Sequence, residues 1–261
     1  MRIPIYQVDA FTAKPFGGNP AAVCPLTDWL PDETLQQIAG ENNLSETAFL
    51  VPGTTGYAIR WFTPIVEVDL CGHATLASAW VVFNKLGFAG DVIRFQSPRS
   101  GALSVRREGH LLTLDFPADV VHEVHDRSLF KGCFDRDPVR IFRGRTDFLL
   151  EYATEADVRT IKSDFRRIAQ LDARGVIVTA PGEQVDFVSR FFCPACGVDE
   201  DPVTGSAHTT LAPFWSERFG RATLEARQLS ARGGELHCRV RGDRTEISGQ
   251  AVLFLEGVIQ V

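Results

Sequence analysis

The chain has 261 residues, 44% of them hydrophobic and 23% charged, with a formal net charge of −6. That length suits one or two domains and buries roughly three quarters of the unfolded surface. The acidic balance argues against sequence-independent nucleic-acid binding, which needs basic surface to displace counterions from phosphates. No apolar run approaches the ~18 residues of a membrane span, so neither nucleic acid nor membrane is an expected partner.

The start, MRIPIYQVDAF, alternates like a strand and lacks the apolar stretch of a secretory signal, which leads to a cytoplasmic expectation. Leu35, Ile38 and Ala39 then show the i, i+3, i+4 spacing of an apolar helix face, with Asp32 as its cap or first-turn acid. Residues 57–63 alternate like a strand, and Ala74 to Leu86 reads as a strongly apolar helix. Leu103–Val105 and Leu111–Leu114 flank Glu108-Gly109 as a hairpin. A boundary is expected near Phe116-Pro117-Ala118, dividing the chain into halves 1–117 and 118–261. In the second half, Phe165, Ile168 and Ala169 repeat the helix spacing behind Asp164. Residues 185–192 are the strand, Ser206 to Phe219 the helix, and 235–248 the hairpin.

These parallels belong to a weak internal repeat. Arg60-Trp61-Phe62-Thr63-Pro64 resembles Arg190-Phe191-Phe192-Cys193-Pro194 at an offset of 130. Beyond Gly72 and Gly205 the offset becomes 133, pairing Ser97 with Ser230, Gly101 with Gly234 and Gly109 with Gly242. Three residues are therefore added between Pro194 and Gly205. The expected fold class is α+β: two pseudo-symmetric halves, each a long helix wrapped by mostly antiparallel, barrel-like sheet.

The six cysteines read as free thiols, with Cys193 and Cys196 as buried residues at a strand end rather than a redox or zinc pair. The histidines form no ligand pattern, so no metal is expected.

The chemistry is expected in a cleft between the halves, at the loops that precede the two long helices. There Cys71-Gly72-His73 and Asp201-Pro202-Val203-Thr204-Gly205-Ser206 place small residues at helix N-termini, where free N–H groups favour a carboxylate. The same residues also suit ordinary capping. At offset 130 Cys71 falls opposite Asp201, a pair suited to removing and returning a proton. A helix N-terminus would lower the pKa of such a thiol. Glu46 falls opposite Val176, and an acid in a partly apolar place can shuttle a proton near neutrality.

The motifs now run the length of the chain: Val8-Asp9-Ala10-Phe11, Phe16-Gly17-Gly18-Asn19-Pro20, Asn43-Leu44-Ser45-Glu46-Thr47, Cys71-Gly72-His73-Ala74-Thr75, and Glu200-Asp201-Pro202-Val203-Thr204-Gly205-Ser206-Ala207-His208. In this the chain resembles the PhzF-like proteins of phenazine biosynthesis, which share the diaminopimelate-epimerase fold. The resemblance implies a homodimer and proton transfer within a small carboxylated substrate, without metal or organic cofactor. It implies that Glu46 moves the proton and that His73 and Asp201 assist. Asn19, Ser45, Gly72, Gly205 and Ser206 are the implied substrate-binding residues. The epimerase relatives use two cysteines, one at each helix mouth, whereas this chain has Cys71 and Asp201. The competing readings are a racemase, epimerase or dehydratase run by that pair, and a non-catalytic binding member of the fold.

Overall fold

The computed structural model describes residues 1–261. Two compact units emerge: Met1–Asp115 with Ser248–Val261, and Phe116–Ile247. The expected boundary at Pro117 is nearly met, but assigning all of 118–261 to the second half is corrected. The last strand belongs to the first unit, because it pairs along the N-terminal one.

The first unit begins with β1 (Arg2–Ala10), β2 (Asn19–Pro25), α1 (Asp32–Asn42), β3 (Glu46–Gly53), β4 (Gly56–Phe62) and β5 (Glu67–Val68). α2 (Gly72–Asn84), β6 (Val92–Ser97), β7 (Gly101–Glu108) and β8 (Leu111–Pro117) follow. The second unit opens with the two-residue β9 (His122–Glu123), then β10 (Arg140–Arg143), β11 (Asp147–Glu151), α3 (Glu155–Thr160) and α4 (Phe165–Ile168). It continues with β12 (Gly175–Pro181), β13 (Phe187–Cys193), β14 (Val198–Asp201), α5 (Gly205–Phe219), β15 (Thr223–Gln228), β16 (Gly234–Arg241) and β17 (Arg244–Gly249). β18 (Ala251–Gln260) returns antiparallel to β1.

The same pairing rules recur in both units. β2 runs parallel to β3 through α1, as β11 runs parallel to β12 through α3 and α4. Antiparallel β3–β4 matches β12–β13, and parallel β4–β6 matches β13–β15. The predicted duplication is therefore a repeat of topology as well as of sequence.

Side chains show where the repeat gains its extra residues. Arg60 sits over the Phe62 ring and reaches Glu67 through a bidentate pair at 2.7 and 2.8 Å. Arg190 sits over Phe192 and reaches Glu200 at the same two distances. The arginines are 130 apart and the glutamates 133, so the insertion lies between them. There the chain makes a short 3-10 turn, Pro194–Cys196. Cys193 and Cys196 are joined across that turn as a disulfide, which corrects the free-thiol expectation for this pair. Cys24, Cys71, Cys133 and Cys238 are free and buried.

The register is less constant than the sequence implies. Tyr57 pairs with Phe95 while Phe187 pairs with Ala226, an offset of 131 across β6 and β15. Ser97 is thus equivalent to Gln228, not to Ser230. Loops of different length on either side absorb the two-residue slip.

Both long helices are core elements. α2 buries all its residues except Trp80 and Asn84, as expected of a helix apolar on every side. α5 buries Leu211, Phe214 and Trp215 among others. The predicted face of α1 is met in full, with Leu35, Ile38 and Ala39 packed against Phe49 and Phe62. Of the matching triplet only Ile168 is fully buried, because α4 stops there after one turn. No helix is long and apolar enough to cross a membrane.

Candidate functional site

In the first unit, three separate segments deliver their side chains to one point. The loop before β2 uses positive φ at Phe16 and Gly18, and a Cβ on Gly18 would stand 2.1 Å from the Ala10 carbonyl oxygen. Only glycine lets the chain turn there. The buried Asp9 carboxylate accepts the Phe16 N–H at 3.0 Å and fixes that loop. Asn19 then enters β2 fully buried. Glu46 opens β3 with its side chain 17% exposed, so it keeps a route to solvent. Cys71 is the N-cap of α2 and His73 stands in its first turn, both buried.

His73 is the hub. Its Nε2 lies 3.1 Å from Glu46 Oε2. Its Nδ1 lies 3.1 Å from Asn19 Nδ2 and 3.4 Å from Cys71 Sγ. Burial works against an imidazolium, yet Cys71 and the Glu46 carboxylate hold the His73 pKa well above its ordinary value. The carboxylate is the decisive partner, since Cys71 is a neutral thiol near neutrality. Burial, reinforced by the Glu46 charge, pushes that thiol up to about 11. This overturns the expectation that the helix N-terminus lowers it: removing the thiolate from water outweighs the dipole. Ser45 is half-buried immediately before Glu46.

In the second unit the loop ahead of α5 is braced by groups the motif reading did not name. Thr204 Oγ1 donates to Asp201 Oδ2 at 2.5 Å. The fully buried Gln228 accepts the Thr204 N–H at 2.9 Å and donates to the Asp201 carbonyl at 2.7 Å. Ser206 Oγ accepts from Arg174 at 2.9 Å, and Arg174 also forms a bidentate pair with buried Asp147. Gly205 is the first residue of α5 and is buried. Gln228 had a signal: Leu224, Ala226 and Gln228 share one face of an alternating strand, and glutamine is the polar exception. Arg174 and Asp147 had none, because their partnership depends on the parallel β11–β12 pairing.

The structure corrects one equivalence. Cys71 is the N-cap of α2 and Thr204 the N-cap of α5, at the 133 offset. Asp201 corresponds instead to Val68, since these pair with Phe191 and Trp61 in the two units. Cys71 and Asp201 are therefore not repeat-related. Neither N-cap side chain bonds to its own helix, so first-turn N–H groups remain open to an anion at both mouths.

His208, in the first full turn of α5, is fully buried. Its Nδ1 lies 2.8 Å from the Thr204 carbonyl oxygen, and burial lowers its pKa to about 4. The folded state holds it neutral while an unfolded chain protonates it near 6.5. This contribution to stability is full above pH 6.5 and is lost as pH falls toward 4, by about 3 kcal/mol. Urea unfolding of wild type and His208→Asn at pH 7 and pH 4.5 checks it: the acid-induced loss is expected to be smaller in the variant.

Comparison with known proteins places this geometry in a lineage. Residues 8–257 match the PhzC-PhzF family, described as phenazine biosynthesis-like protein. An uncharacterized isomerase of Pseudomonas aeruginosa is 51% identical over 261 residues, covering all of both chains. A solved PhzF-family protein of Enterococcus faecalis superposes with a TM-score of 0.97 at 45% identity, again over all of both chains. A hydroxyproline epimerase of Agrobacterium vitis shares the fold alone, with a TM-score of 0.63 at 10% identity, covering 99% of this chain and 91% of its own.

Proposed function

The chain belongs to the PhzC-PhzF family, and from that premise we propose that this isomerase shifts a proton between carbons of a small carboxylated substrate, with Glu46 as both base and acid. The observation that carries the reading is the Glu46–His73 contact at 3.1 Å, in a pair that is mostly buried yet open at the carboxylate. An imidazolium at His73 keeps Glu46 ionised and ready to accept a proton from carbon. The protonated carboxyl then returns it to a second carbon, so no proton is exchanged with a distant group. Asn19 holds the imidazole in place at Nδ1, and His73 positions the carboxylate. Asp201, anchored by Thr204, assists, and the amides at Gly72, Gly205 and Ser206 suit the substrate carboxylate. Ser45, next to Glu46, is assigned to substrate binding.

The racemase alternative asks Cys71 to act as a base. A thiol whose pKa stands near 11 is almost wholly protonated at neutral pH and makes a poor one. The test compares two variants on cyclic amino- and hydroxycarboxylic acids. Cys71→Ser is expected to keep turnover within about tenfold of wild type, while Glu46→Gln loses it. The reverse order would move the chemistry to the thiol.

A further inference from the structure

The side chains that β3 and α2 bring together carry a second chemistry. Glu46, Cys71 and His73 each offer one metal-binding atom, and these atoms all lie within 4.8 Å of one another. We infer that the three form a binding site for a thiophilic divalent cation of the zinc class, which reversibly inhibits the enzyme. Binding stands on the geometry alone; inhibition rests on the role proposed above for Glu46 and His73.

Zinc holds sulfur at about 2.3 Å and nitrogen or oxygen at about 2.0–2.2 Å in a tetrahedron, which sets ligand atoms roughly 3.4–3.6 Å apart. Here His73 Nε2 stands 3.1 Å from Glu46 Oε2 and 4.0 Å from Cys71 Sγ. Each separation is within about 0.5 Å of the tetrahedral edge, so small side-chain rotations close the set. Cys71 and His73 are buried on the rigid first turn of α2, and partly exposed Glu46 leaves an entry path. The fourth position falls to water.

The donor set also selects the ion. Magnesium and calcium take oxygen ligands, whereas a mixed sulfur, nitrogen and oxygen set suits zinc or cobalt. Asn19 supplies the outer contact that such sites use, 3.1 Å from His73 Nδ1. With its amide oxygen turned to that nitrogen, it accepts an Nδ1–H and leaves the Nε2 lone pair for the cation. On binding, the metal–sulfur bond replaces the Cys71 S–H bond, whose proton passes to solvent. Any proton on Nε2 leaves the same way, and no atom changes oxidation state.

Cobalt(II) titration of the full chain reads the site without turnover. The expected result is one cobalt per chain, a thiolate-to-cobalt charge-transfer band in the near ultraviolet, and tetrahedral visible bands that zinc abolishes. Cys71→Ser and Cys71→Ala, each checked for native circular dichroism, are expected to lose the charge-transfer band. Glu46→Gln is expected to bind cobalt about tenfold more weakly or worse. Cys193→Ser leaves the spectrum unchanged. Zinc is expected to stop substrate proton exchange, and a chelator to restore it. No thiolate band, or a band that survives in both Cys71 variants, overturns the inference while leaving the proton-transfer reading intact. A Glu46→Gln enzyme that still turned over would do the opposite.

Discussion

Glu46→Gln is expected to lower turnover by about two to four orders of magnitude, the range for removing a positioned acid–base group. The substitution keeps the size and planarity of the side chain but cannot accept and return a proton. It also removes the negative charge that sustains the His73 imidazolium, so the histidine is expected to titrate nearer its ordinary value. Proton NMR of the imidazole resonances checks this, and a structural role alone would not move it. Because the carboxylate retains solvent access at the head of β3, the fold should tolerate the change. Native circular dichroism with lost turnover is the predicted combination. Turnover near wild type would remove Glu46 from the mechanism.

Trp215→Ala is expected to be the most damaging single change in the second unit. The indole is 2% exposed and lies between the stacked rings of Phe187 and Phe219, at 6.1 and 5.2 Å between centroids. Its Nε1 donates to the buried Thr179 hydroxyl at 2.9 Å, and that hydroxyl donates onward to the Val188 carbonyl. Truncation leaves a large cavity and strips Thr179 Oγ1 of its donor, for a loss of about 3–5 kcal/mol. Trp215→Phe refills most of the volume but not the hydrogen bond, so its loss should be roughly half as large. Urea unfolding midpoints measure both. A loss under about 1 kcal/mol for the alanine variant would mean that α5 repacks around the gap.

Much of this architecture was legible in the residues because the local signals agreed with the tertiary outcome. Leu35, Ile38 and Ala39 share a helical face and are all buried. Gly109 sits at positive φ between β7 and β8, as the hairpin pattern demands. The duplicated Arg60 and Arg190 form duplicate ion pairs. Other features depend on contacts distant in sequence. Ser248–Val261 joins the first unit because β18 pairs with β1, and nothing local in AVLFLEGVIQ names that partner. The slip between β6 and β15 is set by compensating loop lengths, which an ungapped offset cannot follow.

The candidate site divides in the same way. Glu46, Cys71 and His73 lie on motifs visible in the sequence, and they converge because β3 and α2 bring their N-terminal ends together. Asn19 belonged to a recognised motif, but its contact with His73 required the Gly18 turn. The thiol pKa was misjudged because a helix N-terminus is evident from sequence, whereas complete burial beside a carboxylate is not. The metal-binding capacity escaped notice for a related reason. Its three ligands stand at positions 46, 71 and 73, a spacing that matches no local ligand pattern.

The central claim is that Glu46 moves a proton between carbons, and deuterium incorporation tests it most directly. The protein is incubated in heavy water with cyclic amino- and hydroxycarboxylic acids, including a hydroxylated amino-cyclohexadiene carboxylate, and carbon-bound protons are followed by NMR. The account predicts enzyme-dependent exchange that persists in Cys71→Ser and vanishes in Glu46→Gln. Exchange that persists in Glu46→Gln, or no exchange with any of these acids, would contradict it.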